Sequence, residues 1–137
     1  MTTTRQAQQA PADWPGSLPE FLVFEELLRR GLRPDRDFTF QANFFGGRLE
    51  RGGLVIDFLF TDPPGLAIAV QGDFFHQQKG ANVIARDRLA RVQLAAQGIQ
   101  LIFIDESDIL EDVRDVVGDA LRFIDRSFLA TGNGVGF

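Results

Sequence analysis

Two adjacent apolar runs, at residues 54–60 and 66–70, constrain the fold of this chain more than any other feature. The first reads Leu-Val-Ile-Asp-Phe-Leu-Phe and the second Leu-Ala-Ile-Ala-Val, and residues 62–65 between them read Asp-Pro-Pro-Gly. Short runs rich in branched and aromatic residues, separated by turn-forming residues, predict neighbouring β-strands that are covered on both faces. The chain must therefore fold around a sheet with a buried middle.

The first run contains one acidic residue, Asp57. A carboxylate among apolar side chains is costly to bury unless hydrogen bonds, a cation or a metal ion compensates it. Asp57 is thus either a structural acid, satisfied by amides or an arginine, or a functional group. The second run leads into a polar group that consists of Gln71, Asp73 and His76, the only histidine. Because neighbouring strands lie about 4.8 Å apart, this group can converge with Asp57 into a site for a hard cation.

Length and composition suit one soluble domain. The chain has 137 residues, of which 45% are hydrophobic and 24% charged, as in ordinary globular proteins. No stretch approaches the roughly 20 apolar residues that cross a bilayer, and residues 1–12 lack a signal-peptide core. The absence of cysteine excludes a disulfide scaffold and a thiolate zinc site. We expect a cytoplasmic protein with no membrane partner.

Charge is spread unevenly along the chain. Residues 105–127 hold eight acids and three arginines, which accounts for the whole net charge of −5. Residues 79–91 carry four cations against Asp87 alone, beside the candidate site. This excess is a modest nucleic-acid-binding footprint, and the alternative is a solvated helix face. The cations are Lys79, Arg86, Arg88 and Arg91.

The remaining patterns divide the chain into elements. We expect a flexible arm over 1–16, one domain over 17–128 and a flexible tail over 129–137. A capping box of Ser17 and Glu20 opens a helix that stops at Gly31. A second helix is expected over 82–97, and a third opens at Ser107 or Asp108 and runs to Ile124. The apolar side of the second helix comprises Val83, Leu89, Val92 and Ala96, and strand patterns occupy 38–45, 54–60, 66–70 and 99–104.

The order α, β, β, β, α, β, α predicts an α/β fold with a mixed four-stranded sheet flanked by helices. The third and fourth strands are joined through a helix, so they should be parallel with a right-handed crossover. The first three strands should form an antiparallel meander.

This arrangement resembles the PD-(D/E)XK nuclease superfamily, whose restriction-endonuclease-like core has the order αβββαβ; here an extra C-terminal helix follows. Within it, the chain is most like the very-short-patch mismatch endonucleases and related small endonuclease-like proteins of bacteria and phages. The likeness covers about residues 17–110. It is carried by Leu18-Pro19-Glu20, Val55-Ile56-Asp57-Phe58, residues 69–76, Arg86-Asp87-Arg88 and Gln97-Gly98-Ile99.

The resemblance implies a Mg²⁺- or Mn²⁺-dependent endonuclease, a hydrolase that cleaves phosphodiester bonds in nucleic acid, with DNA favoured over RNA and the choice between them left open. It implies metal binding by Asp57 and Gln71, and proton transfer by His76 with support from Asp87. Either Glu20 or Glu25 would be the first-helix acid that orients metal-bound water. The expected nucleic-acid contacts are Lys79, Arg86, Arg88 and Arg91.

One departure from the superfamily pattern leaves the function open. Residues 71–73 read Gln-Gly-Asp where the superfamily has an acid, any residue and lysine. A neutral amide is the weaker ligand for a hard cation, and no lysine is present to stabilise developing phosphate charge. This favours a catalytically inactive endonuclease fold that serves as an assembly module, for instance a phage structural protein or complex subunit, with protein partners. Asp57 together with His76 favours the enzyme, and the acidic C-terminal helix favours an α/β module unrelated to nucleic acid.

Overall fold

The computed structural model describes residues 9–42, 56–72, 88–89 and 91–127. Helical residues at 88–89 and 91–95 are together called α2. The longer helices are α1 (Leu18–Arg29) and α3 (Glu106–Leu121), and the strands are β1 (Phe38–Ala42), β2 (Ile56–Phe60), β3 (Leu66–Gln71) and β4 (Gln100–Asp105).

The four strands form one sheet in the order β1-β2-β3-β4. Strand β2 is antiparallel to β1 and β3, with Phe58 opposite both Phe40 and Ile68. Strands β3 and β4 are parallel, in a register that pairs Leu66 with Gln100. The predicted meander and parallel pair are both confirmed, and the chain is an α/β protein with a mixed four-stranded sheet.

Helix α1 begins and ends where its sequence predicts. The Ser17 hydroxyl accepts a hydrogen bond from the Glu20 N–H at 3.3 Å, and the Ser17 N–H donates to Glu20 Oε1 at 2.8 Å. This reciprocal pair satisfies two of the amides that a helix N-terminus leaves without partners. After the helix, Gly31 has a φ of 89°, a left-handed conformation that glycine adopts without strain.

Helices cover both faces of the sheet. On one face, α1 and α3 pack against each other and against the sheet through side chains that include Val23, Phe58 and Val117. On the other face, Leu94 of α2 packs with Leu101 and strand neighbours. The apolar side chains of both layers are buried, which removes their surface from water and stabilises the fold.

The predicted apolar side of α2 is wrong. The side chains of Leu89 and Val92 are 55% and 65% exposed, whereas Leu94 is 1% exposed. Apolar residues occur around most of this short segment, so its periodicity does not select one side. The sheet side is instead occupied by Leu94 and by Arg91, whose guanidinium lies 4.8 Å from the centre of the Phe103 ring.

Helix α3 begins earlier than predicted and is kinked. It starts at Glu106, with Asp105 as the N-cap residue, rather than at Ser107 or Asp108. Asp112 leaves the helical conformation, with φ −161° and ψ 86°, and its Oδ1 accepts the Asp115 N–H at 3.1 Å. Its side chain thus supplies the acceptor for the second half of the helix. Phe123 and Ile124, expected within the helix, follow its end at Leu121.

Part of the predicted N-terminal arm packs on the domain, and some predicted strand and helix residues lie outside the described ranges. Trp14, assigned to the arm, contacts the rings of Phe21, Phe24 and Phe40 at centroid distances of 5.3, 5.0 and 4.8 Å. The predicted strand residues 43–45 and 54–55 and helix residues 82–87 lie outside the described residues.

No helix in the described ranges has both the length and the apolar composition to cross a membrane.

Candidate functional site

Asp57 lies on β2 with its carboxylate buried in the protein. The residue is 7% exposed, and its Oδ2 accepts the Val70 N–H at 2.7 Å. The side chain thus bonds a backbone donor of the neighbouring strand β3. One hydrogen bond of this kind compensates only part of the cost of burying a charged carboxylate.

The alternation of side chains between the two faces of the sheet is irregular along β2. In a regular strand Ile56 and Phe58 would point to the same face of the sheet. Instead Ile56 packs with Leu94 on the α2 side, whereas Phe58 packs on the side of α1 and α3. The alternation therefore breaks at Asp57, the residue between them.

Asp57 lies beside Glu20 of α1, and the pKa of Asp57 departs from its ordinary value. Burial is the main cause that raises the pKa of Asp57 to about 8, from an ordinary value of 3.8. The negative charge of Glu20 and a side-chain hydrogen bond with it raise this pKa as well, and the Val70 N–H opposes them. Near neutral pH the Asp57 carboxyl group is therefore mainly protonated, and a proton or a cation on it relieves its repulsion from Glu20.

The position of Glu20 is set by the start of α1. Its Oε1 accepts the Ser17 N–H, so one oxygen is held by the capping box. Gly16 allows this approach, because a Cβ at that position would collide with Glu20 Oε1 and lie 3.1 Å from the Trp14 indole nitrogen. The local sequence that begins the helix thus also directs an acid toward Asp57.

The structure distinguishes between the two candidate acids of the first helix. Glu20 is the acid that interacts with Asp57. Glu25 lies 3.7 Å from the Arg29 guanidinium in an (i, i+4) ion pair, with 38% of its side chain exposed. Glu25 therefore belongs to the surface of α1.

Two further polar residues are buried at the same edge of the sheet. Gln71 ends β3 and is 6% exposed, and Asp105 ends β4 and is 5% exposed. They are partners in the parallel register. Because β2 runs opposite to β3, its first residues, which include Asp57, lie at this edge too.

Asp105 is a site candidate that the sequence patterns missed. By its sequence position it is one of the eight acids of residues 105–127. The available signal was its position directly after the apolar residues 101–104, the same position that Gln71 has after 66–70. Only the register between β3 and β4 places the two together.

Only some of the predicted site residues at positions 76–91 lie in the part of the chain that the structure describes. His76, Lys79, Arg86 and Asp87 lie outside the described residues. Arg88 is exposed on α2. Arg91 donates to Asp125 Oδ2 at 3.0 Å, and its predicted nucleic-acid contact stays a prediction.

The carboxyl groups of Glu20 and Asp57 could provide two of the oxygen ligands that a hard divalent cation needs. Within the described ranges, no group of three or more His, Cys, Asp and Glu side chains could hold a metal ion. Glu20 and Asp57 offer two carboxylates from different elements, and both repulsion and burial disfavour the charged state of Asp57. A cation between them would relieve that repulsion, and oxygen ligands are those that Mg²⁺ and Mn²⁺ prefer.

The chain matches no protein-family model, no curated protein and no solved structure. Its function is therefore inferred from the chemistry of the site. That chemistry centres on Glu20 and Asp57, with Gln71 and Asp105 at the same edge of the sheet.

Proposed function

We propose that this protein is a metal-dependent endonuclease with a core of the PD-(D/E)XK type. The observation that supports the proposal is the pairing of Glu20, from the first helix, with Asp57, from the second strand. The superfamily resemblance assigns complementary roles to acids at these two positions. Their convergence from residues far apart in the chain is what such a site requires.

In this proposal, Glu20 and Asp57 hold Mg²⁺ or Mn²⁺, and Gln71 adds a neutral oxygen ligand. When bound, a divalent cation stabilises charge on the phosphate and lowers the pKa of water. The Val70 N–H orients the Asp57 carboxylate, and the Ser17 N–H orients that of Glu20.

Residues outside the pair supply the remaining parts of the proposed activity. His76 transfers a proton, supported by Asp87, and the cations of residues 79–91 bind the nucleic-acid backbone. Arg91 would take part only by sharing its guanidinium with Asp125. The other proposed contacts are Lys79, Arg86 and Arg88.

The test is cleavage of plasmid DNA, single-stranded DNA and RNA in Mg²⁺ and in Mn²⁺. The wild type should cleave at least one substrate, and Asp57→Asn and Glu20→Gln should reduce cleavage to background. Glu25→Gln is the matched control, because it makes the same change in the same helix on an acid that pairs with Arg29. Equal loss in Glu25→Gln and Glu20→Gln would contradict the assignment of Glu20, and an inactive wild type would contradict the endonuclease itself.

A second candidate function is a catalytically inactive assembly module with a protein partner. The specific observation in its favour is Gln71, a neutral residue buried at the position where the superfamily has an acid. On this alternative, wild type and Asp57→Asn are equally inactive, and neither shows salt-dependent affinity for nucleic acid. Salt-dependent binding by the wild type would exclude it, because phosphate contacts release counterions.

A further inference from the structure

Trp14 precedes helix α1 and joins the start of that helix to the sheet. Its half-buried indole ring is stacked on the Phe40 ring of the edge strand β1, with 4.8 Å between the ring centroids and 27° between the planes. It also contacts the rings of Phe21 and Phe24 on α1, at centroid distances of 5.3 and 5.0 Å. Packing against several rings leaves a large aromatic side chain little freedom to move. Trp14 therefore has a fixed place between α1 and β1.

The indole N–H of Trp14 has a defined partner in the turn that begins α1. Nε1 donates to the Ser17 carbonyl oxygen at 3.0 Å. The same oxygen accepts the Phe21 N–H at 3.0 Å, as the carbonyl of an N-cap residue does at the start of a helix. The Ser17 N–H in turn donates to Glu20 Oε1 at 2.8 Å. A series of contacts thus leads from the Trp14 ring, through the Ser17 backbone, to the Glu20 carboxylate.

Gly16 lies where three of these groups come together. A Cβ at this position would collide with Glu20 Oε1, and it would lie 3.1 Å from Trp14 Nε1 and 3.2 Å from Cζ of Phe40. The carboxylate, the indole nitrogen and the β1 ring are therefore packed against the backbone of residue 16. This packing leaves no room for a side chain there.

We infer that Trp14 and Gly16 are positioning residues that hold the Glu20 carboxylate toward its partner acid on β2. The inference rests on the proposed function of the Glu20–Asp57 site. A glutamate side chain can adopt several rotamers, and repulsion from a second carboxylate favours those that point away from it. The Ser17 N–H opposes this repulsion only while the turn before α1 keeps its place. Groups that orient a metal ligand affect metal affinity without touching the metal.

The experiment is calorimetric titration with Mn²⁺ of variants whose folding is checked by urea denaturation. Trp14→Phe keeps an aromatic ring but loses the indole N–H. Gly16→Ala adds a Cβ that displaces the Glu20 carboxylate. Each should weaken Mn²⁺ binding about tenfold. If one of the two variants does not fold, the other decides, because each changes a different contact of the same turn.

Phe24→Leu and Gly118→Ala are the matched controls. Phe24→Leu removes a ring that contacts Trp14 but leaves the indole N–H and its acceptor in the chain. Gly118→Ala makes the same change as Gly16→Ala at a position in α3, where the nearest atom belongs to the end of the Arg30 side chain, at 3.0 Å. Both controls should keep the wild-type Mn²⁺ affinity within about twofold, because neither changes a contact of Glu20.

A Glu20→Asp background tests whether Gly16 acts through Glu20. The shorter side chain withdraws the carboxylate from the space that a Cβ at residue 16 would fill. Gly16→Ala should therefore change the Mn²⁺ affinity of Glu20→Asp by less than about twofold. A general effect of Gly16→Ala on the fold would weaken binding equally in both backgrounds.

The possible outcomes separate this inference from the proposed function. Loss of Mn²⁺ binding in Asp57→Asn, together with unchanged affinity in folded Trp14→Phe and Gly16→Ala, would overturn the inference and leave the proposed site intact. Controls that weaken binding as much as Trp14→Phe and Gly16→Ala would also overturn it, as would an equal effect of Gly16→Ala in the two backgrounds. A wild type that binds no Mn²⁺ would overturn the metal site itself, and the inference with it.

Discussion

Two buried aspartates, Asp57 and Asp37, have similar exposure, but the pKa of Asp57 is raised and the pKa of Asp37 is lowered. They are 7% and 6% exposed, and each accepts one backbone N–H, from Val70 at 2.7 Å and from Arg33 at 2.8 Å. The pKa of Asp57 is raised to about 8 by burial and then by its acidic neighbour. The pKa of Asp37 is lowered, first by hydrogen bonds from the Arg36 side chain.

The opposite pKa shifts distinguish a carboxylate that stabilises the fold, Asp37, from one whose burial in the charged state destabilises it, Asp57. Asp37 receives the Arg36 guanidinium at 2.8 Å, and its carbonyl oxygen accepts the Thr61 N–H at 2.8 Å, which joins the entry of β1 to the exit of β2. Asp57 has an acid, Glu20, as its neighbour instead. A group kept in an unfavourable state is typical of functional sites.

The largest effect should come from replacing each aspartate by asparagine, with opposite signs. Asp57→Asn removes a disfavoured charge and keeps an oxygen acceptor for the Val70 N–H, so at pH 9 it should raise the free energy of unfolding by at least about 2 kcal/mol. Asp37→Asn removes the partner of Arg36 and should lower it. Urea denaturation of both variants measures the two changes. Destabilisation by Asp57→Asn would make Asp57 a structural acid like Asp37.

The pH dependence of wild-type stability should show the same contrast. The folded-state pKa of Asp57 lies above its ordinary value of 3.8, so the folded protein keeps a proton that the unfolded chain releases. Stability should therefore fall as pH rises from about 4 to about 8, with a slope approaching 1.4 kcal/mol per pH unit.

Asp37 has the opposite sign, because its folded-state pKa is lowered. Its contribution is present above pH 3.8 and is lost as pH falls through the lowered folded value. In Asp57→Asn the decline between about pH 4 and about pH 8 should disappear, whereas the loss of stability at acid pH that is due to Asp37 should remain. Urea titrations at intervals of one pH unit measure this, and an unchanged decline in the variant would contradict the assignment to Asp57.

A third carboxylate, Asp125, extends the comparison because it has a cation, as Asp37 does. Its Oδ2 accepts from Arg91 and from the Phe103 N–H, both at 3.0 Å. Arg91→Gln should therefore cost about 1–2 kcal/mol of stability and leave Mn²⁺ affinity unchanged. Arg88→Gln, at an exposed position of the same helix, should change stability by no more than about 0.5 kcal/mol. Equal effects on stability would show that the Arg91 ion pair contributes nothing specific.

The smallest expected effect concerns the capping box that holds Glu20. Ser17→Ala removes the hydroxyl that accepts the Glu20 N–H and should cost about 1 kcal/mol. The N–H of residue 17 remains and still donates to Glu20 Oε1, so cleavage should persist. Loss of cleavage equal to that in Glu20→Gln would show that the hydroxyl, and not only the backbone, positions the acid.

The sequence predicted the features that depend on local patterns. The burial of Asp57 follows from its apolar neighbours in residues 54–60, and the start of α1 follows from Ser17 and Glu20. The parallel pairing of β3 with β4 follows from the helical segment between them.

The features that depend on tertiary packing were missed or left open. The choice of Glu20 over Glu25 depends on which turn of α1 lies beside β2. The position of Asp105 beside Gln71 depends on the register of strands that are far apart in the chain. The predicted apolar side of α2 was wrong because both the exposed and the buried positions of this helix carry apolar residues, such as Val92 and Leu94.

The central claim is that a divalent cation replaces a proton between Glu20 and Asp57. The most direct test is calorimetric titration of the wild type with Mn²⁺ at pH 7, in buffers with different ionisation enthalpies, which gives the number of protons released on binding. With the pKa of Asp57 at about 8, close to one proton should be released per Mn²⁺ at pH 7, and this number should fall toward zero by pH 9. Binding without proton release at pH 7, or equal binding by Asp57→Asn, would contradict the claim.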